Sequence, residues 1–180
     1  MRLLCSALLI LSLLAPVGAA EAPLARGDLA AALWEAQGCP APQGHCPFSD
    51  LPPADPRAPA LTWAAEQGLV RGTGGGAFAP DRTATREEAA VLLRRYARWL
   101  GQDAFYPEIA RCNDCEDISP WADDSLYWAA GTGVLPWSPG GRLDPQGPVT
   151  QTDLSAALAR LALPPPVSHS LPRIRKGGRP

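Results

Sequence analysis

The chain has 180 residues, and its 16 lysines and arginines nearly balance its 18 aspartates and glutamates, which gives a formal net charge of −2. This balance excludes the basic excess typical of nucleic-acid-binding proteins, so no nucleic acid partner is expected. The length suits one domain with a tail, and most of the 21 prolines and 17 glycines fall in loops between periodic segments.

The first 20 residues have the composition of a secretory signal peptide. Arg2 precedes an apolar run over 3–14, and small residues follow up to Ala20. A membrane-spanning helix needs about 20 apolar residues, and this run is shorter. We therefore expect cleavage after Ala20 and an exported chain that has no membrane span.

Five helices are predicted after residue 20. Three of them are long, each with one apolar stripe at helical spacing, and two are short. Gly38 and Gly101 follow two of the long helices, as glycine often does at a helix C-terminus. In chain order, the predicted helices cover 26–37, 60–67, 85–100, 123–130 and 150–161.

The helix over 85–100 has the clearest start signal. Thr85 and Glu88 have the spacing of a capping box, in which each side chain pairs with the other residue's free backbone N–H. Thr150 and Asp153 repeat the pattern in a weaker form. The last segment, 164–180, is basic and has no apolar face, which predicts a disordered tail.

Long stretches of the chain repeat each other in register. Such self-similarity is typical of stacked units, each too small to bury its own apolar face. The segment 48–51 with Asp50 corresponds to 116–118 with Asp117, and a third copy of the long-helix start occurs at 24–29. The stretches that match at one fixed offset are 63–70 with 128–135, 78–80 with 143–145, and 85–88 with 150–153. We expect a domain over 21–163 with units of about 24–47, 48–111 and 112–163.

Four cysteines remain once Cys5 leaves with the signal peptide: Cys39, Cys46, Cys112 and Cys115. An even number in an exported chain favours disulfides. The two pairs fall in similar places in the repeat, which favours the local pairs Cys39–Cys46 and Cys112–Cys115. A four-thiolate zinc site and disulfides between the two loops are the alternatives.

The three long helices need a shared core, because each has one apolar stripe. The two short helices and their loops can link and cover them. The sequence therefore predicts an all-α, pseudo-threefold bundle of long and short helices, with long loops that cross at one end.

The order of the motifs carries more information than any one of them. Phe-x-Asp at 48–50, Gly-Leu-Val at 68–70, Phe-x-Pro at 78–80 and Thr-Arg-Glu-Glu at 85–88 follow one another, and the second unit repeats most of this order. In this order they resemble S-layer homology repeats, which anchor exported bacterial proteins to the cell wall. The resemblance covers about 24–163 as a permuted, incomplete triplet.

The resemblance implies a secreted, non-catalytic module of the cell envelope that binds an anionic secondary wall polysaccharide, often one with pyruvate ketals. It also implicates the arginine at each long-helix start, which here is Arg86 and, in the first helix, Arg26. At the start of a helix, a guanidinium can bind a carboxylate through two parallel hydrogen bonds. Gln151 takes this place in the third helix, where it cannot supply a charge.

Further ligand contacts are expected from aromatic rings and glycines. Trp121 occupies the place of a family tryptophan and is expected in the core or at a groove, whereas Trp63 and Trp128 are expected in the core. Gly74 and Gly75, in the turn over 72–76, would let a polymer approach the backbone closely.

No catalytic or cofactor motif appears, and the two histidines, His45 and His169, lack the spacing of a metal or nucleophile site. An enzyme is therefore not expected, and no cofactor is expected. The alternative to wall binding is an exported protein-interaction module. Two departures from the family pattern favour this alternative: Gln151, and the missing first tryptophan near 55–57.

Overall fold

The structure is a computed structural model that describes residues 21–102 and 111–162. Within these ranges the protein is all-α, as expected, with five α-helices, one 3₁₀ turn and no β-sheet. In chain order the helices are α1 (Arg26–Ala36), α2 (Ala58–Glu66), α3 (Arg86–Trp99), α4 (Asp123–Gly131) and α5 (Gln151–Ala162), and the 3₁₀ turn is Cys115–Asp117.

All five predicted helices are confirmed to within two residues at each end. The predicted signal peptide (1–20) and basic tail (164–180) lie outside the described residues, so these boundaries stay predictions. In the part of the chain that is described, no helix is long and apolar enough to cross a membrane.

The core is built mainly from leucines and alanines of all five helices. Trp63 and Trp128, at equivalent places in α2 and α4, are both buried, which confirms the prediction that they belong to the core. In α3 the predicted stripe is buried up to Tyr96, but Leu100 lies beyond the helix end and is exposed. Fully buried leucines of the helices are Leu33, Leu61, Leu93, Leu126 and Leu154.

The three long helices begin around a closed ring of backbone hydrogen bonds. Leu24, Ala84 and Val149 each lie two residues before a long helix. The N–H of Leu24 donates to the carbonyl of Val149 (2.9 Å), and the N–H of Val149 donates to the carbonyl of Ala84 (3.1 Å). The N–H of Ala84 donates to the carbonyl of Leu24 (2.9 Å), which closes the ring. Each segment donates once and accepts once, as a threefold arrangement of helix starts requires.

Side chains cap two of the long helices. The capping box of Thr85 and Glu88 is present in α3, as predicted. In α5, Thr150 Oγ1 accepts from the N–H of Asp153 (3.2 Å), and the Asp153 carboxylate accepts from the N–H of Thr150 (3.1 Å). Ala25 at the start of α1 has no side-chain hydrogen bond, so α1 needs other acceptors.

Loop carbonyls supply those acceptors. At the first junction, where α1 starts against the loop 78–82 that leads into α3, the N–H groups of Arg26 and Gly27 donate to the carbonyls of Arg82 and Pro80, both at 2.9 Å. Because the loop satisfies these N–H groups, α1 does not need a capping side chain.

The second junction repeats the same arrangement in the next copy of the repeat. There, α3 starts against the loop 143–147 that leads into α5. The N–H groups of Arg86 and Glu87 donate to the carbonyls of Gly147 (2.9 Å) and Pro145 (3.1 Å). The two junctions can therefore be compared atom by atom.

Each of these loops is also closed by a carboxylate. Asp50 accepts hydrogen bonds from the N–H groups of Phe78 and Ala79, at 2.7 to 3.0 Å. These bonds lower the pKa of Asp50, because they favour its charged form. The loop therefore holds the segment that leads into α3 through one ionised side chain.

In the unit over 112–163 this carboxylate belongs to Asp114 and not to Asp117, so the predicted correspondence of Asp117 with Asp50 is wrong. Asp114 is buried and accepts from the N–H groups of Leu143 (2.8 Å) and Asp144 (2.7 Å), whereas Asp117 is exposed. The physical reason is that the carboxylate must reach the N–H groups of the loop that leads into the next long helix. The residue that does so here, Asp114, lies three residues before Asp117 in the chain.

The four cysteines take two different states. Cys112 and Cys115 form a disulfide, as predicted, on either side of Asp114 in the chain. Cys39 and Cys46 are separate thiols, so the predicted Cys39–Cys46 pair is not formed.

The loop between Cys39 and Cys46 is held by other contacts. The indole N–H of Trp34 donates to the carbonyl of Pro40 (2.8 Å), and the Glu66 carboxylate accepts from the N–H of Gly44 (2.6 Å). These contacts fix the loop against α1 and α2 without a disulfide.

We predict that Asp114→Ala lowers the free energy of unfolding by about 2–3 kcal/mol, because it leaves two backbone N–H groups without an acceptor. Asp117→Ala is the matched control and should change it by less than about 0.5 kcal/mol. Urea denaturation measures both. Equal effects of the two substitutions would contradict the assignment of Asp114 as the counterpart of Asp50.

Candidate functional site

A groove with a volume of about 390 Å³ lies between the first two units. The start of α1 and the middle of α3 form two of its sides, and the chain after α2 (69–73) forms a third. Trp121, from the loop before α4, completes the lining. The groove therefore depends on the first junction and also includes one residue, Trp121, of the third unit (112–163).

The charge of the groove is mainly positive. Three arginines line it, one from each side: Arg26, Arg71 and Arg95. Glu88 is the one carboxylate among the lining residues. Three guanidinium groups against one carboxylate make this a site that attracts an anion.

Arg26 is held firmly in place in the groove. Its Nη1 lies 2.6 Å from Oε1 of Glu88, its Nε donates to the carbonyl of Phe78 (3.1 Å), and its guanidinium lies over the Phe78 ring, 4.7 Å from the centroid. Burial lowers the pKa of Arg26, and the Glu88 charge partly offsets this. Glu88 also pairs with Arg82, so one carboxylate serves two cations and a helix cap.

Arg95 and Arg71 are close enough for their like charges to interact. Burial lowers the pKa of Arg95, and the positive charge of Arg71 lowers it further. Arg95 Nη1 donates to the carbonyl of Leu69 (3.1 Å), whereas no salt bridge within the described residues engages Arg71, which is exposed. A bound anion would relieve the repulsion between these two cations.

Trp121 is 58% exposed and lines the groove, so of the two expected places, core or groove, the structure favours the groove. Of the turn after α2, Gly72 and Thr73 line the groove, but Gly74 and Gly75 do not. Gly74 and Gly75 are exposed residues with positive φ that shape the turn next to the groove.

Arg86, the first candidate from the sequence, is not in the groove. Its side chain lies within the second junction and is 5% exposed. Its Nε donates to the carbonyl of Leu143 (2.9 Å), and its Nη2 donates to that of Pro136. That Arg86 binds ligand stays a prediction; in this structure its side chain joins α3 to the next loop.

Gln151 is likewise outside the groove. It is exposed at the start of α5, and its Nε2 lies 3.4 Å from Oγ of Ser155. Next to it, the Glu21 carboxylate accepts from the N–H (2.6 Å) and the hydroxyl (2.8 Å) of Thr152. At this helix start the second N–H is therefore satisfied by an acidic side chain, whereas the equivalent N–H groups of Gly27 and Glu87 donate to loop carbonyls.

Arg71 and Arg95 are the site residues that the sequence analysis missed. Both lie outside the helix-start motif that drew attention to Arg26 and Arg86. A comparison of the two copies contains a signal for each: Arg95 recurs as Arg160 in the second copy, whereas Arg71 is replaced by Pro136.

Comparison with known proteins agrees with this architecture. Residues 47–90, from the loop before α2 to the first turn of α3, match the family model of the S-layer homology domain. This segment of the chain is therefore similar to the S-layer homology domain. The matched segment includes the loop side of the groove and Glu88 but not Arg26, Arg95 or Trp121.

Two similar proteins are surface proteins of bacteria. The chain is 28% identical over 104 residues to the surface-layer 125 kDa protein of Lysinibacillus sphaericus, which covers 56% of this chain. It is 27% identical over 128 residues to cell surface glycoprotein 1 of Acetivibrio thermocellus, which covers 67% of this chain. The matches span 8% and 5% of those proteins, so the chain corresponds to a small part of each.

The acidic residues at the start of α3 have structural partners within the protein. Glu87 accepts from the N–H (3.1 Å) and the hydroxyl (2.9 Å) of Ser119, while Glu88 pairs with Arg26 on another side of the helix. The two carboxylates therefore have separate structural partners. Within 21–102 and 111–162, no group of His, Cys, Asp or Glu side chains is placed to hold a metal ion.

We predict that Arg86→Ala lowers the free energy of unfolding by about 2–4 kcal/mol, because it leaves buried carbonyls of the second junction without a donor. Arg98→Ala, at the exposed last turn of α3, is the control and should have little effect. Thermal and urea denaturation measure the difference. A melting temperature unchanged by Arg86→Ala would mean that the side chain does not join the two units.

Proposed function

We propose that this chain is a non-catalytic wall-binding module that holds an anionic cell wall polysaccharide in the groove at the first junction. The observation that carries the proposal is the lining of three arginines, one carboxylate and an exposed tryptophan. The match to the S-layer homology domain and the surface location named in both relatives support it.

The chemistry of the groove suits an acidic sugar. Arg71 and Arg95 present guanidinium groups that can take a carboxylate through paired, charge-assisted hydrogen bonds. Trp121 presents an indole, more than half exposed, on which the apolar face of a pyranose ring can pack. A sugar with a pyruvate ketal has both features, because its carboxylate is fixed to the ring.

The groove also suits a polymer better than a small, enclosed ligand. Arg71, Gly72, Thr73 and Trp121 all line the groove and are all exposed, so the groove is open to solvent. A chain of sugars can therefore pass through the groove while one acidic unit occupies it. This arrangement would retain the exported protein at the cell envelope.

A protein partner is the second candidate function, and one surface favours it. Trp99 and Leu100, at the end of α3, are 40% and 36% exposed, and Trp99 packs against Trp63 and Tyr96. Exposed aromatic residues are common in protein interfaces. This surface is separate from the groove, so mutations in the groove distinguish the two functions.

We predict that the protein without residues 1–20 binds purified bacterial sacculi that carry their polysaccharide, and that hydrofluoric acid removal of the polymer abolishes binding. Arg71→Gln should weaken binding about 10- to 100-fold, because a charged hydrogen bond is worth about 1.5–3 kcal/mol. Trp121→Ala should weaken it about tenfold or more.

Arg98→Gln is the matched control for Arg71→Gln, because it removes an exposed arginine outside the groove. It should bind like the unmodified protein. Equal binding to stripped and unstripped sacculi, or full binding by Arg71→Gln, would contradict the polysaccharide proposal. Binding that is lost only in Trp99→Ala would favour the protein partner.

A further inference from the structure

We infer that the molecule holds a single acidic sugar, because the first junction presents unpaired positive charge to solvent, whereas the side chains at the second junction and at the start of α5 do not suit an acidic sugar. The first junction has Arg71 and Gly72 in its loop, and the second junction has Pro136 and Trp137 at the equivalent positions. The inference rests on the proposed function, and it adds the number of sites and the residues that determine it.

The two junctions differ first in where the helix-start arginine points. Arg26 pairs with Glu88 at 2.6 Å and lines the groove. The counterpart of Glu88 is Asp153, and the side chain of Asp153 is shorter by one methylene. Nη1 of Arg86 lies 3.9 Å from Oδ1 of Asp153. Arg86 instead donates to the carbonyl of Pro136, so its charge lies beneath the loop and away from a ligand.

The second difference is the exposed cation of the loop. Arg71 extends from the first loop and has no salt bridge among the described residues. Pro136 occupies the equivalent position and cannot donate a hydrogen bond. The second junction therefore lacks a cation at this position. The exposed arginine of its loop is Arg142, which lies 3.5 Å from the Asp114 carboxylate, and Arg160, which repeats Arg95, donates to the carbonyl of Thr132 (3.2 Å).

The third difference is the next residue of the loop, which is Gly72 in the first loop and Trp137 in the second. A β-carbon at Gly72 would lie 2.5 Å from the carbonyl oxygen of Ala77, so the first loop needs glycine there. Trp137 occupies the equivalent place, and it is 39% exposed. The second loop keeps the equivalent backbone hydrogen bond, from the N–H of Ser138 to the carbonyl of Arg142 (2.8 Å), but it presents a bulky indole where the first loop presents bare backbone.

The start of α5 is unsuited to an anion for another reason. Gln151 provides no charge, and the Glu21 carboxylate already accepts the N–H and hydroxyl of Thr152. These hydrogen bonds lower the pKa of Glu21, so it stays ionised at neutral pH. A negative charge at this helix start repels a second acidic sugar.

Titration calorimetry of the protein without residues 1–20 tests the inference. The probe is a defined saccharide with a pyruvate ketal, and the same saccharide without the ketal is the control. We expect one site for the charged saccharide and about tenfold or more weaker binding of the uncharged one. Two equivalent sites would overturn the inference and leave the proposed function intact.

Two variants locate the determinants. Arg71→Gln should remove all measurable binding or weaken it at least about tenfold; a residual site of unchanged affinity would mean that another junction also binds. Pro136→Arg with Trp137→Gly should raise the stoichiometry from one to two. Both substituted residues are exposed, so the variant should fold, and circular dichroism checks this.

Trp137→Gly alone is the matched control, because it opens the loop without adding a charge, and it should keep one site. A folded double variant that still binds one sugar would overturn the role of 136–137. No binding of the charged saccharide by the unmodified protein would instead overturn the proposed function itself, and the inference with it.

Discussion

The closed ring of three backbone hydrogen bonds among Leu24, Ala84 and Val149 is the constraint on which the rest of the structure depends. It brings together three helix starts that lie far apart in the chain. The starts of α1 and α3 then find their acceptors in the loop that leads into the next long helix, so these loops are fixed by the helices that they cap. The first groove exists because α1 is held across the chain against α3.

The repeat is symmetric in its backbone and asymmetric in its side chains. Asp50 and Asp114 close the two loops in the same way, and Arg26 and Arg86 reach equivalent carbonyls. The difference lies in exposed positions such as Arg71, which can change without loss of the fold. Repeated units of this kind can therefore keep one architecture while only one junction retains a ligand site.

The sequence was sufficient for features that depend on local order. Helical stripes and the Thr85 cap predicted the five helices, because their spacing is set within a few residues. The fate of Arg86 was not predictable in this way, because its acceptors lie 50 and 57 residues away in a loop whose course depends on Asp114. The groove residue Arg71 was missed because it stands outside the motif, and its importance comes from its proximity to Arg95.

We propose that an acidic sugar binds in the groove that Arg71 and Trp121 line. The most direct test follows the indole N–H signals of the six tryptophans by NMR while a saccharide with a pyruvate ketal is added. We expect the chemical shift of the Trp121 signal to change as ligand is added, and the chemical shifts of the Trp137 and Trp99 signals to stay unchanged. A shift at Trp137 or Trp99 with no change at Trp121 would contradict it.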